Sequence, residues 1–302
     1  MFKYIFGPIQ SRRFGLSLGV DLSPADKSCN FDCLYCELKP SKAVTAIKTP
    51  PLVEDIVKET ESALLQYPNI DVITITANGE PTLYPDLDLL VDELNRIKGD
   101  KKLLILSNAS NISDPFVQKT MTKMDIVKLS LDCATQKCFK KIDRPARGVS
   151  IEKIIEGIKE FREIFNKELI IEILIVEGIN DKKDEMSALK KALDMINPDR
   201  IDLGTIDRPP AYDVKGVSTQ KLKKLSEYLG AHNISVIHKN RAEKKVDFSK
   251  QEILSTIKRR PQSAMDVEYL FSEKSKENLV RLVKEGKVAK KDIAGVLFYL
   301  PA

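Results

Sequence analysis

A chain of 302 residues, 42% hydrophobic and 31% charged, can bury a sizeable core and is not the composition of a disordered or fibrous protein. Its longest apolar stretch, Leu169 to Val176, is interrupted by Glu172 and falls far short of the ~20 residues a membrane span needs. The opening Met1-Phe2-Lys3-Tyr4-Ile5-Phe6 is too brief and too quickly polar for a secretory signal, so a cytoplasmic protein with no membrane partner is expected.

From residue 16 to residue 238, short β-like runs alternate with amphipathic helical patterns. The predicted strands are Leu16–Asp21, Val72–Thr76, Leu103–Leu106, Ile126–Leu131, Leu169–Val176, Arg200–Leu203 and Ile234–Ile237. They are rich in Ile, Val and Leu, as strands buried on both faces should be. Between them, Val53, Ile56, Val57, Thr60 and Leu64 share one helix face, and Ile154, Ile155, Ile158, Phe161 and Phe165 share another. Repeated βα units predict an α/β fold with a parallel sheet and right-handed crossovers, and six of them curl into an open, partial (β/α)6 barrel over residues 1–240.

After His238 the pattern changes. Residues Lys239 to Lys245 read as a polar linker, and 241–302 as a second, small domain. Ser249 caps a helix that runs through Ile257 and ends before Pro261. Ala264 to Phe271 and Ser275 to Glu285 are two more helices, with Gly286 as a left-handed cap. A hairpin follows from Lys287 to Leu300, turning at Asp292–Gly295. That order matches a winged helix-turn-helix; the plainer expectation is a helical cap packed on the barrel. From residue 239 onward the chain holds 15 Lys and Arg against 9 Asp and Glu, so the net charge of +5 belongs to this piece. Such asymmetry marks some nucleic-acid-binding modules, although solvated lysines are the commoner reason.

Five cysteines are too few and too clustered for a secreted disulfide framework. Three of them form Cys29-Asn30-Phe31-Asp32-Cys33-Leu34-Tyr35-Cys36. Three thiolates can hold three irons of a cubic [4Fe–4S] cluster and leave the fourth open to a small molecule. Sites in parallel α/β sheets gather at the C-terminal strand ends. There the sequence places the cysteine loop, Asn78-Gly79-Glu80-Pro81, Ser107-Asn108, Ser130-Leu131-Asp132, Glu177-Gly178-Ile179-Asn180-Asp181 and Asp207-Arg208-Pro209-Pro210 in turn.

The cysteine loop, with aromatic Tyr35 before its last cysteine, resembles the cluster loop of radical S-adenosylmethionine enzymes. Asn78-Gly79-Glu80-Pro81 resembles that superfamily's Gly-Gly-Glu-Pro element, with Asn in place of the first Gly. Ser11-Arg12-Arg13 and Arg208-Pro209-Pro210 look most like small iron–sulfur oxidoreductases related to tRNA wyosine-base synthases and, more distantly, to the molybdenum-cofactor GTP cyclase. The resemblance covers roughly residues 10 to 238. It implies that Cys29, Cys33 and Cys36 ligate the cluster and that S-adenosylmethionine chelates the open iron. It places Gly79 and Glu80 along the methionine end, and Ser107 and Asn108 at the carboxylate or ribose. Ser130 and Asp132 go to the ribose, Asn180 and Tyr35 to the adenine. The implied reaction passes one electron to the sulfonium, and the 5′-deoxyadenosyl radical then takes a hydrogen from substrate. A flavodoxin- or ferredoxin-type protein is the implied reductant, and the basic tail admits RNA or another nucleic acid as substrate. The wyosine synthases carry further cysteines upstream and the cyclase carries C-terminal ones; this chain has neither, so neither specific reaction is expected of it.

Each reading has a rival. The loop suits a zinc site completed by His232, His238 or a distant cysteine. Arg12, Arg13, Arg144 and Arg208 suit either an anionic substrate or ordinary ion pairs. Asp132 and Asn180 suit strand-end caps, and Cys133 and Cys138 suit inert buried thiols more than auxiliary ligands. A second function class is an iron–sulfur sensor that binds DNA through its C-terminal domain.

Overall fold

The computed structural model describes residues 2–11, 13–206, 208–230, 232–236, 245–259, 261–293 and 296–302. The expected domain boundary at 240/241, His238, Arg12 and Asp207 lie outside them. Strands β1 (Ile5–Ser11), β2 (Gly15–Asp21), β3 (Val72–Thr76), β4 (Lys102–Ser107), β5 (Ile126–Ser130), β6 (Glu168–Ile175), β7 (Arg200–Thr205) and β8 (Ile234–Val236) form one sheet in sequence order. β2 through β8 are parallel, and β1 pairs antiparallel with β2. The crossovers carry α1 (Val53–Gln66), α2 (Leu87–Ile97), α3 (Pro115–Thr122), α4 (Gln136–Ile142) with α5 (Ile151–Ile164), α6 (Lys183–Ile196) and α7 (Thr219–Leu229).

The helices form where the sequence gives one apolar stripe and a cap. Ser150 accepts from the Lys153 amide at the start of α5, whose Ile151, Ile154, Ile155, Ile158 and Phe161 are buried against the sheet. The outer sheet face and the helices share the main core; a smaller cluster of Val72, Leu104, Ile126 and Ile170 forms apart from it, with Phe14 and Leu106 packed on it. The sheet curls until its two edges approach. Arg13, in the β1–β2 turn, donates from Nη2 to the Ser235 carbonyl of β8 at 3.0 Å. The predicted strands are present within a residue or two at their ends. β1 and its antiparallel pairing were not expected.

The C-terminal piece holds α8 (Lys250–Arg259), β9 (Gln262–Ser263), α9 (Ala264–Leu270), α10 (Glu273–Lys284), β10 (Val288–Ile293) and β11 (Val296–Pro301), with an antiparallel sheet in the order β10–β11–β9. The expected helices and hairpin are there; the two-residue β9 is an addition. Gly286 takes φ 68°, as its place after α10 predicted. This piece packs on the barrel through two arginines. Arg259 donates from Nε to Asp21 at 3.1 Å and from Nη2 to the Lys3 carbonyl at 2.6 Å. Arg208, after β7, contacts the Pro261 carbonyl, Asp266 at 3.3 Å and Glu37 at 3.5 Å. None of the helices among the described residues is long and apolar enough to cross a membrane.

Candidate cluster and cofactor site

Between β2 and α1 the chain runs without a helix, yet its backbone is pinned on two sides. On one side Ser28 bridges Gly79: the Ser28 amide donates to the Asn78 carbonyl, and the Glu80 amide donates to the Ser28 carbonyl, each at 2.8 Å. On the other, the segment after α4 takes over. The Asp32 and Leu34 amides donate to the Asp143 and Ile142 carbonyls at 3.1 and 2.8 Å, and the Ala146 amide donates to the Asn30 carbonyl at 2.8 Å. Phe31 anchors this side, edge-on to Phe139 with ring centres 5.2 Å apart. The Ala211 amide closes the loop on the Cys36 carbonyl at 2.7 Å.

Asp32 ties the middle of the loop. It accepts from the Tyr212 hydroxyl at 2.5 Å and from the Ser41 amide at 3.3 Å, and lies 3.8 Å from Lys27 and 3.6 Å from Arg144. Arg144 also stacks over the Tyr212 ring at 4.2 Å. The cationic candidates named from sequence are thus engaged internally: Arg144 here, Arg208 at the junction of the two pieces, and Arg13 on Asp202 at 2.9 Å. Of the two readings the sequence left open, these contacts match the ion pairs.

Cys29, Cys33 and Cys36 are free and half-buried. Burial pushes the Cys29 thiol up to about 12, with the Glu80 carboxylate adding to it, and raises Cys33 through burial and then Asp143, 3.5 Å away. Asp132 is pushed up to about 7 by its burial, against donation from the Tyr35 hydroxyl and the Leu174 amide. Asp143 is raised by burial and by Asp132. Among the described residues, Cys133, Cys138 and Glu185 are the group of three whose donor atoms all lie within 4.8 Å of one another. The three loop sulfurs are spread wider than that, which suits a cluster better than one shared ion. His232, the zinc rival's described histidine, sits before β8 at the opposite end of the barrel, 2.8 Å from Asp194.

The rim residues divide. Glu80 is buried and accepts from the Thr82 amide (3.0 Å), the Thr82 hydroxyl (2.7 Å), the Ser107 hydroxyl (2.7 Å) and the Asn108 amide (2.7 Å). Burial raises its pKa and these donors oppose the rise. Asn180 is fully buried; its side chain accepts from the Val176 amide and donates to the Asp132 and Leu174 carbonyls. The side chains of Ser107 and Asn180 thus brace the rim. Asn108 turns toward the cluster loop, donating to Asn30 at 2.9 Å with Cys29 Sγ at 3.7 Å. Ser130 is half-buried at the end of β5. Tyr35 and Cys36 line a cavity of about 890 Å³ that fills the barrel, with Asn78 above and Leu254, Ser255, Lys258 and Arg259 of α8 along one side.

Cys133 and Cys138 form a disulfide, their Cα atoms 5.8 Å apart, which corrects the expectation of free inert thiols. Thr135 caps α4 immediately after β5, so the two side chains meet. Glu185, beside them, accepts from the Ala134 and Thr135 amides and the Thr135 hydroxyl, a capping role. Asp21 was missed from sequence. Its Oδ1 accepts from the Asn78 and Ser23 amides and its Oδ2 from Arg259, so it joins the rim to the C-terminal piece. The signal was its position as the last residue of a buried strand.

Glu80→Gln is expected to turn an amide N–H toward one of four donors. A loss of about 2 kcal/mol in unfolding free energy follows from one unsatisfied buried group, read by denaturant titration.

Residues 27–189 match the Radical SAM superfamily. The chain is 38% identical to a UPF0026 protein of Helicobacter pylori strain J99, over 98% of this chain and 96% of that one. It is 28% identical to the GTP 3′,8-cyclase of Clostridium botulinum strain Hall over 54% of this chain and 50% of the cyclase. Its fold is similar to a radical SAM methyltransferase from Sphaerobacter thermophilus, with TM-score 0.54 and 15% identity, covering 73% of this chain and 66% of that structure. The cofactors of the matched superfamily are a [4Fe–4S] cluster and S-adenosylmethionine, and the free cysteines Cys29, Cys33 and Cys36 lie within the matched residues. The chain belongs to the radical SAM superfamily.

Proposed function

We propose that this chain is a radical S-adenosylmethionine oxidoreductase acting on a substrate, or a substrate segment, lodged in the barrel cavity. One observation carries the reading: three free thiols on a loop pinned by backbone hydrogen bonds on both sides, with Cys36 opening onto an 890 Å³ space. Cavities of roughly 300–1,000 Å³ accept drug-sized ligands, and this one lies at the upper end, with room for S-adenosylmethionine and a second small body. Held by Cys29, Cys33 and Cys36, the cluster would supply the one electron that breaks the 5′ C–S bond of S-adenosylmethionine, releasing methionine and leaving the 5′ carbon to take a hydrogen atom from substrate. The protein's own part is to position and to exclude water. Gly79, Glu80 and Asp21 fix the rim, Asn108, Ser130 and Tyr35 face the cofactor side, and α8 screens the cavity from solvent. A flavodoxin- or ferredoxin-type protein delivers the electron.

The order α8–β9–α9–α10–β10–β11 supports reading this piece as a winged helix. α10 exposes Lys274, Arg281 and Lys284 together with Glu273 and Glu277, a mixed face rather than a basic stripe. Because α8 also walls the cavity, the subdomain's role is read as shaping the substrate site, with nucleic acid as one substrate it admits. The test is anaerobic reconstitution with iron and sulfide, followed by dithionite. Equal amounts of 5′-deoxyadenosine and methionine are expected. A fully loaded protein that releases neither, yet binds DNA with a steep salt dependence, would establish the regulator instead.

A further inference from the structure

Most of the cavity wall is apolar, with Phe6, Phe14, Leu104, Leu106 and Leu174 facing it. Several charged side chains line it, among them Arg13, Asp21, Lys258 and Arg259; two others, Lys128 of β5 and Glu172 of β6, stand side by side on adjacent strands. Lys128 Nζ lies 2.5 Å from Glu172 Oε1 and 3.2 Å from Asp202 Oδ2. Asp202, wholly buried, also receives Arg13 and Arg200 at 2.9 Å each, and Arg200 pairs with Glu168 at 2.9 Å. Three cations thus meet three carboxylates, and this side of the cavity is neutral overall. Ser17 and Thr74 add hydroxyls from β2 and β3, 2.8 Å apart.

Glu172 is not used up by this network. Its side chain keeps 37% exposure on the cavity wall, and its Oε2 makes no hydrogen bond among the described residues. Lys128 donates one N–H to Glu172 and meets Asp202 as an ion pair only, which leaves it N–H groups for a further acceptor. An ion pair in a barrel interior costs desolvation that an apolar pair avoids, so its placement on a cavity wall calls for a ligand that uses it.

We infer that Lys128 and Glu172 anchor the substrate, and that the anchored part is uncharged, flat and largely apolar, with an N–H donor beside a carbonyl acceptor: an amide, lactam or urea edge. The donor meets Glu172 Oε2 and the carbonyl meets Lys128. At this spot a carboxylate or phosphate would face Glu172 and an ammonium would face Lys128, so neither is favoured between the two. The inference rests on the proposed function for the identity of the cavity but fixes the chemistry of what enters it.

The test is equilibrium dialysis of cluster-loaded protein, with S-adenosylmethionine present, against 2-aminobenzamide and its anionic isostere 2-aminobenzoate. Saturable binding of the amide is expected, ~10-fold or more tighter than the acid, and Glu172→Gln should weaken the amide by ~10-fold, the worth of one hydrogen bond to a charged acceptor. Glu172→Asp, which keeps the charge but withdraws it, should fall between. No saturable amide binding, a preference for the acid, or an unchanged Glu172→Gln overturns the anchor. Should that variant fail to keep its iron, the wild-type preference between the two probes decides alone. Wild-type protein that releases 5′-deoxyadenosine but ignores the amide sinks the anchor only; protein that releases none sinks the proposed function.

Discussion

Cys33→Ala is expected to leave reconstituted protein almost free of iron and to cut 5′-deoxyadenosine formation by more than ~100-fold. Changes merely to groups that hydrogen-bond a metal's ligands cost about 10–100-fold, and this change removes one of the three thiols outright. No neighbour can substitute. The backbone on either side is fixed, with the Asp32 and Leu34 amides bonded to the segment after α4 and the Cys36 amide to the Cys33 carbonyl at 3.2 Å. The contrast is the double variant Cys133→Ala, Cys138→Ala. Those sulfurs are buried in a disulfide and do not line the cavity, so iron content should stay at about four per chain, the number in one cubic cluster. Iron analysis and absorbance of both variants after identical reconstitution check the pair. Equal iron in Cys33→Ala and wild type would dismiss the cluster assignment.

Much of this was legible because it is local. The parallel strands are short continuous apolar runs, the signature of burial on both faces, and they were found to within a residue or two. β1 was not, since Gly7-Pro8 breaks its run and its register with β2 shifts between Phe6 and Ile9. The three cysteines were visible as spacing. What holds them was not, because Gly79, residues 142–146 and Ala211 are distant in sequence. Polar residues at strand ends were correctly read as clustering, but pattern alone does not say which of them face the cavity and which bond one another. Ser107 and Asn180 illustrate this, since their side chains bond neighbouring residues of the rim. One signal was stronger than it looked: Glu172 interrupts the longest apolar run, and a charge inside a buried strand must face either a partner or a cavity. Here it faces both.

Gly79→Ala is expected to unseat the cysteine loop. Gly79 has φ 145°, and a Cβ there would lie 1.8 Å from the Ser28 carbonyl oxygen, the atom that receives the Glu80 amide. Two costs combine. A non-glycine residue at positive φ loses about 1 kcal/mol, and relieving the overlap costs a further 1–3 kcal/mol or breaks the Ser28–Gly79 bridge. Gly148 separates them. Its φ is 94°, but a Cβ there meets nothing within 4 Å, so Gly148→Ala carries the conformational cost alone. Denaturant titration should place Gly148→Ala about 1 kcal/mol below wild type with full iron, and Gly79→Ala about 3 kcal/mol below with most of its iron lost. Equal behaviour of the two variants would mean that close contact between the two backbones is not what seats the loop. With the expected difference, the glycine of Asn78-Gly79-Glu80-Pro81 is required because the cysteine loop lies directly against it, and Glu80 holds that platform to β4 through Ser107 and Asn108.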